Sequence, residues 1–238
     1  MSATSFKTLV TGTSRGIGLE TVKQLLRDPK RMVYATARNP SHASELIQLQ
    51  SQFRERLFIE KLDVTSEESI KNLVDKLKHV KFDLLVNNAG IIEKNDPITS
   101  TTKESLLKAF ETNALAPLFV SQHFYNQNLL NKGALIVNIS SILGSIDFVN
   151  EEIVKFNYSS SYLISKAALN MISKIQSVAL KDVHTISVHP GWLKTDLGGE
   201  GAPLDVGVGV SGIVKVIDTF KPEQNGAFLQ FDGERLNW

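Results

Sequence analysis

Short apolar runs alternate with amphipathic segments along the whole chain, as in a repeating strand–helix unit. Some of the apolar runs, such as Leu84-Leu85-Val86, show no polar alternation, which is typical of parallel strands covered by helices on both faces. The runs predict strands at Thr8–Val10, Met32–Ala37, Leu57–Lys61, Asp83–Asn87, Ala134–Ile139, His184–His189 and Ala227–Gln230.

Between these runs, apolar residues recur every three or four positions and indicate helices. The helices are predicted at Gly16–Arg27, Ser41–Phe53, Ser66–Lys78, Lys103–Leu130, Ser160–Ala179 and Val206–Thr219. No linker, internal repeat or low-complexity segment interrupts the alternation, so one domain over residues 1–238 is expected. The fold class is α/β: a doubly wound (Rossmann), mostly parallel seven-stranded sheet with helices on both faces.

A glycine-rich turn, Thr11-Gly12-Thr13-Ser14-Arg15-Gly16-Ile17-Gly18, joins the first predicted strand to the first predicted helix. At this crossing the chain must turn tightly, admit a pyrophosphate close to the backbone and open a helix whose free N–H groups attract phosphate. Glycine permits all three, although the spacing is not the usual G-x-G-x-x-G form. The turn therefore indicates dinucleotide binding.

Polar and glycine residues also follow the other predicted strands at their carboxyl ends, where open α/β sheets bind ligands. We expect these residues to converge on one site, because the carboxyl ends of parallel strands share one edge of the sheet. They are Arg38, Asp63-Val64, Asn88-Ala89-Gly90, Ser140-Ser141 and Pro190–Thr195.

Tyr162 and Lys166 lie four residues apart in a predicted helix, which places both side chains on one helix face. A free tyrosine has a pKa of about 10. A neighbouring ammonium would stabilise the phenolate and lower that pKa. Tyr162 is therefore a candidate proton donor, and Lys166 is the group expected to adjust its pKa.

In chain order, the glycine turn, Asn87-Asn88-Ala89-Gly90, Asn113, Ser140-Ser141 and the Tyr162/Lys166 pair resemble the motifs of the short-chain dehydrogenase/reductase family. The long separation of Ser141 from Tyr162 and the tail Phe231–Trp238 are similar to its carbonyl-reductase, sniffer and C-factor-like branch. The resemblance implies an NADPH-dependent oxidoreductase that reduces a ketone or aldehyde by hydride transfer. Two alternatives stay open: a non-catalytic NADP(H)-binding sensor or scaffold of the same fold, and an isomerase or epimerase that uses the nucleotide transiently.

The resemblance also implies a role for each motif residue. The implied catalytic residues are Asn113, Ser141, Tyr162 and Lys166, with Ser140 as the alternative serine. The implied substrate contacts are Ser141, Tyr162 and Trp192. The implied cofactor contacts are Gly12, Ser14, Arg15, Ile17, Gly18, Arg38, Asp63, Val64, Asn88, Ala89, Gly90, Tyr162, Lys166, Pro190, Trp192 and Thr195.

The segment after the second predicted strand favours NADP(H) over NAD(H). NAD sites carry an acid there, whereas this segment, Tyr34–Asn39, has none and contains Arg38. A guanidinium binds a 2′-phosphate through paired hydrogen bonds, and Arg15 could supply a second cation. The alternative is that Arg38 is an ordinary surface arginine.

Simpler structural roles are alternatives for several other residues. Asp63 could end a strand while Thr65 or Ser66 caps the next helix. The Asn88–Gly90 segment could be a plain turn, and Trp192 could be a core residue. Asn113 could equally be a solvent-facing polar residue of a helix.

The composition narrows the classes of partner. The chain has 26 basic and 25 acidic residues, which predicts no nucleic-acid or anionic-membrane partner. It has no cysteine, and its five histidines lack metal-ligand spacing, so neither disulfides nor a metal are expected. The polar start and the absence of a long apolar stretch predict a cytoplasmic protein. The expected partner is a small carbonyl or alcohol substrate, bound by a monomer or homodimer.

Overall fold

The computed structural model describes residues 5–155 and 158–238. Seven strands form one sheet, and every neighbouring pair of strands is parallel. The strands are β1 (Phe6–Val10), β2 (Arg31–Ala37), β3 (Leu57–Lys61), β4 (Phe82–Asn87), β5 (Leu130–Ile139), β6 (Val183–His189) and β7 (Phe228–Gln230). The predicted doubly wound α/β fold is confirmed, and its sheet is entirely parallel.

Helices connect successive strands and cover both faces of the sheet. They are α1 (Gly16–Leu25), α2 (Ser44–Gln52), α3 (Glu67–Lys76), α4 (Lys103–Phe110), α5 (Ala116–Asn126), α6 (Glu151–Lys155), α7 (Ser160–Ala179) and α8 (Val206–Asp218). Short 3₁₀ turns lie at Pro40–His42, Ile142–Gly144 and Pro222–Gln224. In the described part of the chain, no helix is long and apolar enough to cross a membrane.

The strand order is β3-β2-β1-β4-β5-β6-β7, so the direction of winding reverses between β1 and β4. The apolar residues Leu84, Leu85 and Val86 of β4 are fully buried, as expected for a central strand covered on both faces. One hydrophobic cluster lies under α1 and α8, and a second lies under α3 and α5. In open α/β sheets the ligand crevice opens where the winding reverses, beyond the carboxyl ends of the strands.

One predicted helix, Lys103–Leu130, differs from the structure. The chain forms α4, a π-helical turn at Glu111–Leu115 and α5, and Leu130 already belongs to β5. Pro117 has no N–H group with which to continue the α-helical bonds onto the carbonyl of Asn113. Apolar periodicity does not detect this interruption, because the residues on either side of the turn keep a helical pattern.

Candidate active site

The glycine turn between β1 and α1 has a backbone that only glycine fits. Gly12 and Gly16 have φ angles of +68° and +58°. A Cβ atom on Gly12 would lie 2.8 Å from the Cα of Ala89, and one on Gly18 would lie 2.3 Å from the Gly12 oxygen. The turn therefore packs closely against the segment that follows β4. Because its glycines have no side chains, a ligand could come close to its backbone.

Asn88 and Thr11 bind this turn to the end of β4. The side-chain amide of Asn88 donates to the carbonyls of Thr11 and Gly12, at 2.9 and 3.0 Å. The hydroxyl of Thr11 accepts from the backbone N–H groups of Asn88 and Ala89, at 3.0 and 3.1 Å. The Asn88–Gly90 segment is thus a structural partner of the glycine turn, whichever ligand the turn binds.

The N-terminus of α1 points its backbone toward the crevice. Its N-cap residue, Arg15, makes no side-chain capping bond. Uncapped N–H groups and the positive end of the helix dipole form an anion site. The neighbouring Ser14 is exposed, whereas Ile17 is half-buried and packs against the core. This arrangement fits the pyrophosphate of a dinucleotide.

The two arginines predicted at the 2′-phosphate occupy neighbouring parts of the crevice. The backbone N–H and hydroxyl of Thr13 both donate to the carbonyl of Thr36, at 2.9 and 3.0 Å. These bonds hold the glycine turn against β2 just before Arg38. Both arginines are exposed, and Arg15 pairs with Asp196 at 3.0 Å.

Asp63 and Val64 follow β3 and are half-buried. The Asp63 carboxylate accepts from the backbone N–H and the hydroxyl of Thr65, at 3.1 and 2.7 Å. Ser66 caps α3 by accepting from the N–H of Ser69, at 3.2 Å. The predicted cap at Ser66 is therefore confirmed, and adenine contacts by Asp63 and Val64 stay a prediction.

Tyr162, Ser141 and Lys166 lie together at the carboxyl ends of β5 and β6. Tyr162 is in the first turn of α7 and is 7% exposed, and the Ser141 side chain lies beside its hydroxyl, where it acts to lower the pKa of the phenol. The Lys166 ammonium is 5.6 Å from the centre of the Tyr162 ring and donates to the carbonyl of Ile139 at 2.7 Å. The adjacent Ser140 points away from Tyr162 and donates to Asn170 at 2.6 Å.

Burial controls the protonation of Tyr162 and Lys166. It raises the pKa of Tyr162 to about 12, against the smaller opposite effect of Ser141. It lowers the pKa of Lys166 to about 7. The predicted depression of the Tyr162 pKa by Lys166 is thus absent from the protein alone, because the dry pocket favours the neutral form of both groups. A neutral phenol holds the proton that a carbonyl reduction consumes.

Asn113 lies in the π-helical turn and is completely buried, so the solvent-facing alternative is wrong. Its side chain accepts from the N–H of Ile91 at 2.8 Å and donates to the carbonyl of Ile91 at 2.9 Å. It also donates to Ser165 at 3.0 Å. Asn113 therefore joins the segment after β4 to the part of α7 that carries Tyr162 and Lys166.

The loop after β6 contains Pro190, Trp192 and Thr195. Trp192 is half exposed and donates from its indole nitrogen to the carbonyl of Gly198 at 2.8 Å, so it is not a core residue. The Thr195 hydroxyl accepts from the N–H of Gly198 at 3.1 Å. A Cβ atom on Gly16 would lie 3.7 Å from the Thr195 side chain, which brings this loop against the glycine turn.

A cavity of about 360 Å³ lies beside α7, under the segment between Ser141 and Tyr162. This segment contains the Ile142–Gly144 turn and α6, while residues 156 and 157 lie outside the described residues. The residues around the cavity are mainly apolar and include Ile98, Leu143, Ile146, Val149, Ile153 and Leu163. None of the predicted substrate contacts, Ser141, Tyr162 and Trp192, is among the residues that line it, although Leu163, next to Tyr162, is.

Asp96 is a structural residue of the site that the sequence did not reveal. It is 6% exposed, and its carboxylate accepts from the backbone N–H of Ser161 at 3.0 Å, next to Tyr162. Burial raises its pKa, but hydrogen bonding, chiefly from Ser161, outweighs this effect and lowers the pKa to about 2. An acid within a loop, just before a proline, gave no signal of such a distant contact.

Comparisons with known proteins show the family to which the chain belongs. A family model for the short chain dehydrogenases matches residues 7–203. An uncharacterized oxidoreductase of Schizosaccharomyces pombe is 34% identical, and the match covers 99% of both chains. The chain belongs to the short-chain dehydrogenase/reductase family of oxidoreductases.

Solved structures extend the similarity to particular carbonyl reductases. The NADPH-bound carbonyl reductase from chicken fatty liver has a TM-score of 0.89 and 35% identity, over 99% of this chain and 100% of that one. The carbonyl reductase Sniffer of D. melanogaster has a TM-score of 0.87 and 33% identity, over 98% and 100%. The fold is thus that of a nicotinamide-dependent oxidoreductase family.

Proposed function

We propose that this protein is an NADPH-dependent carbonyl reductase that converts a ketone or aldehyde to an alcohol. The observation that carries the proposal is the buried Tyr162 hydroxyl, which lies beside Ser141 and on one helix face with Lys166. The similarity to carbonyl reductases from chicken and fruit fly supports the same conclusion.

The glycine turn, the uncapped start of α1 and the Asn88–Gly90 segment would hold the dinucleotide. The bound cofactor supplies a hydride to the carbonyl carbon. Tyr162 donates its proton to the carbonyl oxygen, and Ser141 donates a hydrogen bond to the same oxygen as negative charge develops there. Lys166, with a pKa of about 7, gains or loses a proton readily beside the phenol.

Arg38 and Arg15 support NADPH as the preferred cofactor. Both are exposed beside the crevice, and the Thr13–Thr36 bonds bring their two segments together. A 2′-phosphate would accept charge-assisted hydrogen bonds from the two guanidinium groups. The pairing of Arg15 with Asp196 would have to compete with that phosphate, and it is a weak, exposed ion pair.

The apolar cavity supports a substrate whose carbonyl is attached to a hydrophobic group. Its walls are largely aliphatic, and burial of an apolar ring or chain contributes about 25 cal/mol per Å² of surface removed from water. Charged or heavily hydroxylated carbonyl compounds would lose solvation in such a cavity without compensating hydrogen bonds.

The test is consumption of NADPH, followed by absorbance, with a series of diketones, quinones and aromatic aldehydes. We expect turnover by the wild type and a loss of roughly 10²–10⁴-fold in kcat for Tyr162→Phe, because the proton donor is removed while the ring remains. Tyr34→Phe is a matched control, since Tyr34 is also buried but packs on Phe58 and Phe82 in another part of the core.

Two results would contradict the proposal. Equal activity of Tyr162→Phe and the wild type would remove Tyr162 as the proton donor. Tight NADPH binding without turnover of any carbonyl compound would favour the non-catalytic sensor or scaffold. Interconversion of substrate isomers without net NADPH oxidation would favour the isomerase.

A further inference from the structure

A buried side-chain amide on α7 connects the two ends of the segment that contains Ser141. Asn170 is 3% exposed and lies one helical turn beyond Lys166. Its oxygen accepts from the Ser140 hydroxyl at 2.6 Å, and its nitrogen donates to the carbonyl of Gly144 at 3.2 Å. One amide thus holds the residue just before Ser141 and the residue three positions after it.

The segment between these two anchors is itself closely folded. The Ser141 hydroxyl accepts from the N–H of Leu143 at 3.2 Å, and the Ser141 carbonyl accepts from the N–H of Gly144 at 2.9 Å. A Cβ atom on Gly144 would lie 2.6 Å from the Lys166 carbonyl carbon, so this turn lies directly on α7. Ser141 therefore sits on a short turn fixed to the same helix that carries Tyr162 and Lys166.

We propose that Asn170 is a positioning residue that holds Ser141 in place beside Tyr162. The proposal rests on the reductase function proposed above, since the position of Ser141 matters only if Ser141 binds the carbonyl oxygen. Asn170 acts through Ser141 and touches neither the reacting atoms nor the cofactor.

The chemistry of the position requires an amide. The Ser140 hydroxyl needs an acceptor and the Gly144 carbonyl needs a donor, and one asparagine provides both at once. An apolar residue of the same size would leave both partners buried without a hydrogen bond. The turn would then shift to find other partners, and Ser141 would move with it.

The first experiment compares Asn170→Leu, a change of similar volume, with Gln176→Met as a matched control. Gln176 is a buried amide six residues further along α7, where its oxygen accepts from the side chain of Asn138 at 3.1 Å, away from the Ser140–Gly144 turn. We expect Asn170→Leu to lower kcat by about 10- to 100-fold while KM for NADPH changes less than about threefold, because a small misplacement of a catalytic group has effects of this size. Gln176→Met should keep kcat within about twofold. Wild-type kcat in folded Asn170→Leu would overturn the proposal.

A double-mutant cycle separates positioning from general loss of structure. If Asn170 acts through Ser141, Asn170→Leu should cause no further loss of kcat in a protein that already carries Ser141→Ala. The same fractional loss in both backgrounds would mean that Asn170 acts independently of Ser141. If Asn170→Leu fails to fold, Asn170→Asp takes its place, since an ionised carboxylate keeps the acceptor for Ser140 and lacks the donor for Gly144.

Crystal structures of the wild type and the Asn170 variant provide a readout that needs no activity. We expect the Ser141 hydroxyl to lie about 1 Å or more farther from the Tyr162 hydroxyl in the variant than in the wild type, a misplacement large enough to impair catalysis. An unchanged distance would overturn the positioning role even in a fully active reductase. An inactive wild type with the expected separation would contradict the proposed function instead.

Discussion

The two halves of the crevice are built in different ways. The half around the glycine turn is fixed by backbone contacts and by Thr11 and Asn88, whose hydrogen bonds measure 2.9–3.1 Å. The half under the Ser141–Tyr162 segment surrounds an apolar cavity. The bonds on the outer side of that segment are exposed, such as the one that the Asn237 amide donates to Asp147 at 2.9 Å. A cofactor shared by a whole family can be bound by rigid backbone, whereas a particular substrate is selected by side chains on a variable segment.

Among the variants considered next, the largest effect is expected from a change in the half around the glycine turn, which we call the rigid half. In Gly18→Ala the new methyl group would meet the Gly12 oxygen at 2.3 Å and the Asn88 amide nitrogen at 2.5 Å. Overpacking of this kind costs about 1–3 kcal/mol. We expect a lower unfolding temperature and roughly 10- to 100-fold weaker NADPH binding, measured by calorimetry. Gly207→Ala is the control, because its methyl group would make only an ordinary contact of 3.7 Å; equal effects of the two variants would contradict the close packing at Gly18.

Arg38→Asp tests cofactor choice in the same half. Loss of a charge-assisted bond to the 2′-phosphate should weaken NADPH binding by about tenfold or more. NADH binding should change little or improve, because the new carboxylate can accept from the ribose hydroxyls. The measurement is KM for each cofactor, with Arg54→Asp as an exposed control. An unchanged ratio of the two KM values would remove Arg38 from the phosphate site.

Asp96 joins the segment after β4 to the start of α7, and its replacement by Asn should destabilise the fold at neutral pH. Its folded pKa of about 2 is lower than its ordinary value of 3.8, so its stabilisation is fully present above pH 4 and is lost as pH falls through 2. We expect the free energy of unfolding, measured with urea at pH 7, to be about 2 kcal/mol higher for the wild type than for Asp96→Asn. At pH 3 the difference should be smaller. Asp75→Asn on the exposed face of α3 is the control. If the stability difference between the wild type and Asp96→Asn were independent of pH, the charge of the carboxylate would play no part in stabilising the fold.

The smallest effect is expected at the outer wall of the cavity. Asn237→Ala removes the exposed hydrogen bond to Asp147, which lies between the cavity residues Ile146 and Val149. Such a bond contributes about 0.5–1 kcal/mol, so KM for a bulky apolar substrate should rise about two- to fivefold while KM for NADPH stays constant. Asn72→Ala on α3 is the control. An equal rise in KM for the apolar substrate and in KM for NADPH would indicate a general loss of structure.

Parts of both halves could be predicted from the sequence, because they depend on residue types at fixed local spacing. The glycine turn, the strand ends and the Tyr162/Lys166 face of α7 all follow from such local rules. The same rules did not predict the π-helical turn at Asn113, which depends on Pro117 and on a bond to Ile91. Nor did they predict Asn170 or Asp96, whose partners lie 26 to 65 positions away and are set by tertiary packing.

The hydrogen bonds between Thr11 and Asn88 also affect when, during its synthesis, the protein can first bind its cofactor. The two residues are separated by 77 positions, and the side chain of Ala89 supports the tight bend at Gly12. During synthesis the glycine turn is made early, yet its final shape must wait until β4 has left the ribosome and paired with β1. The dinucleotide therefore cannot guide the first stages of folding, and its stabilising effect begins only after the middle of the sheet has formed.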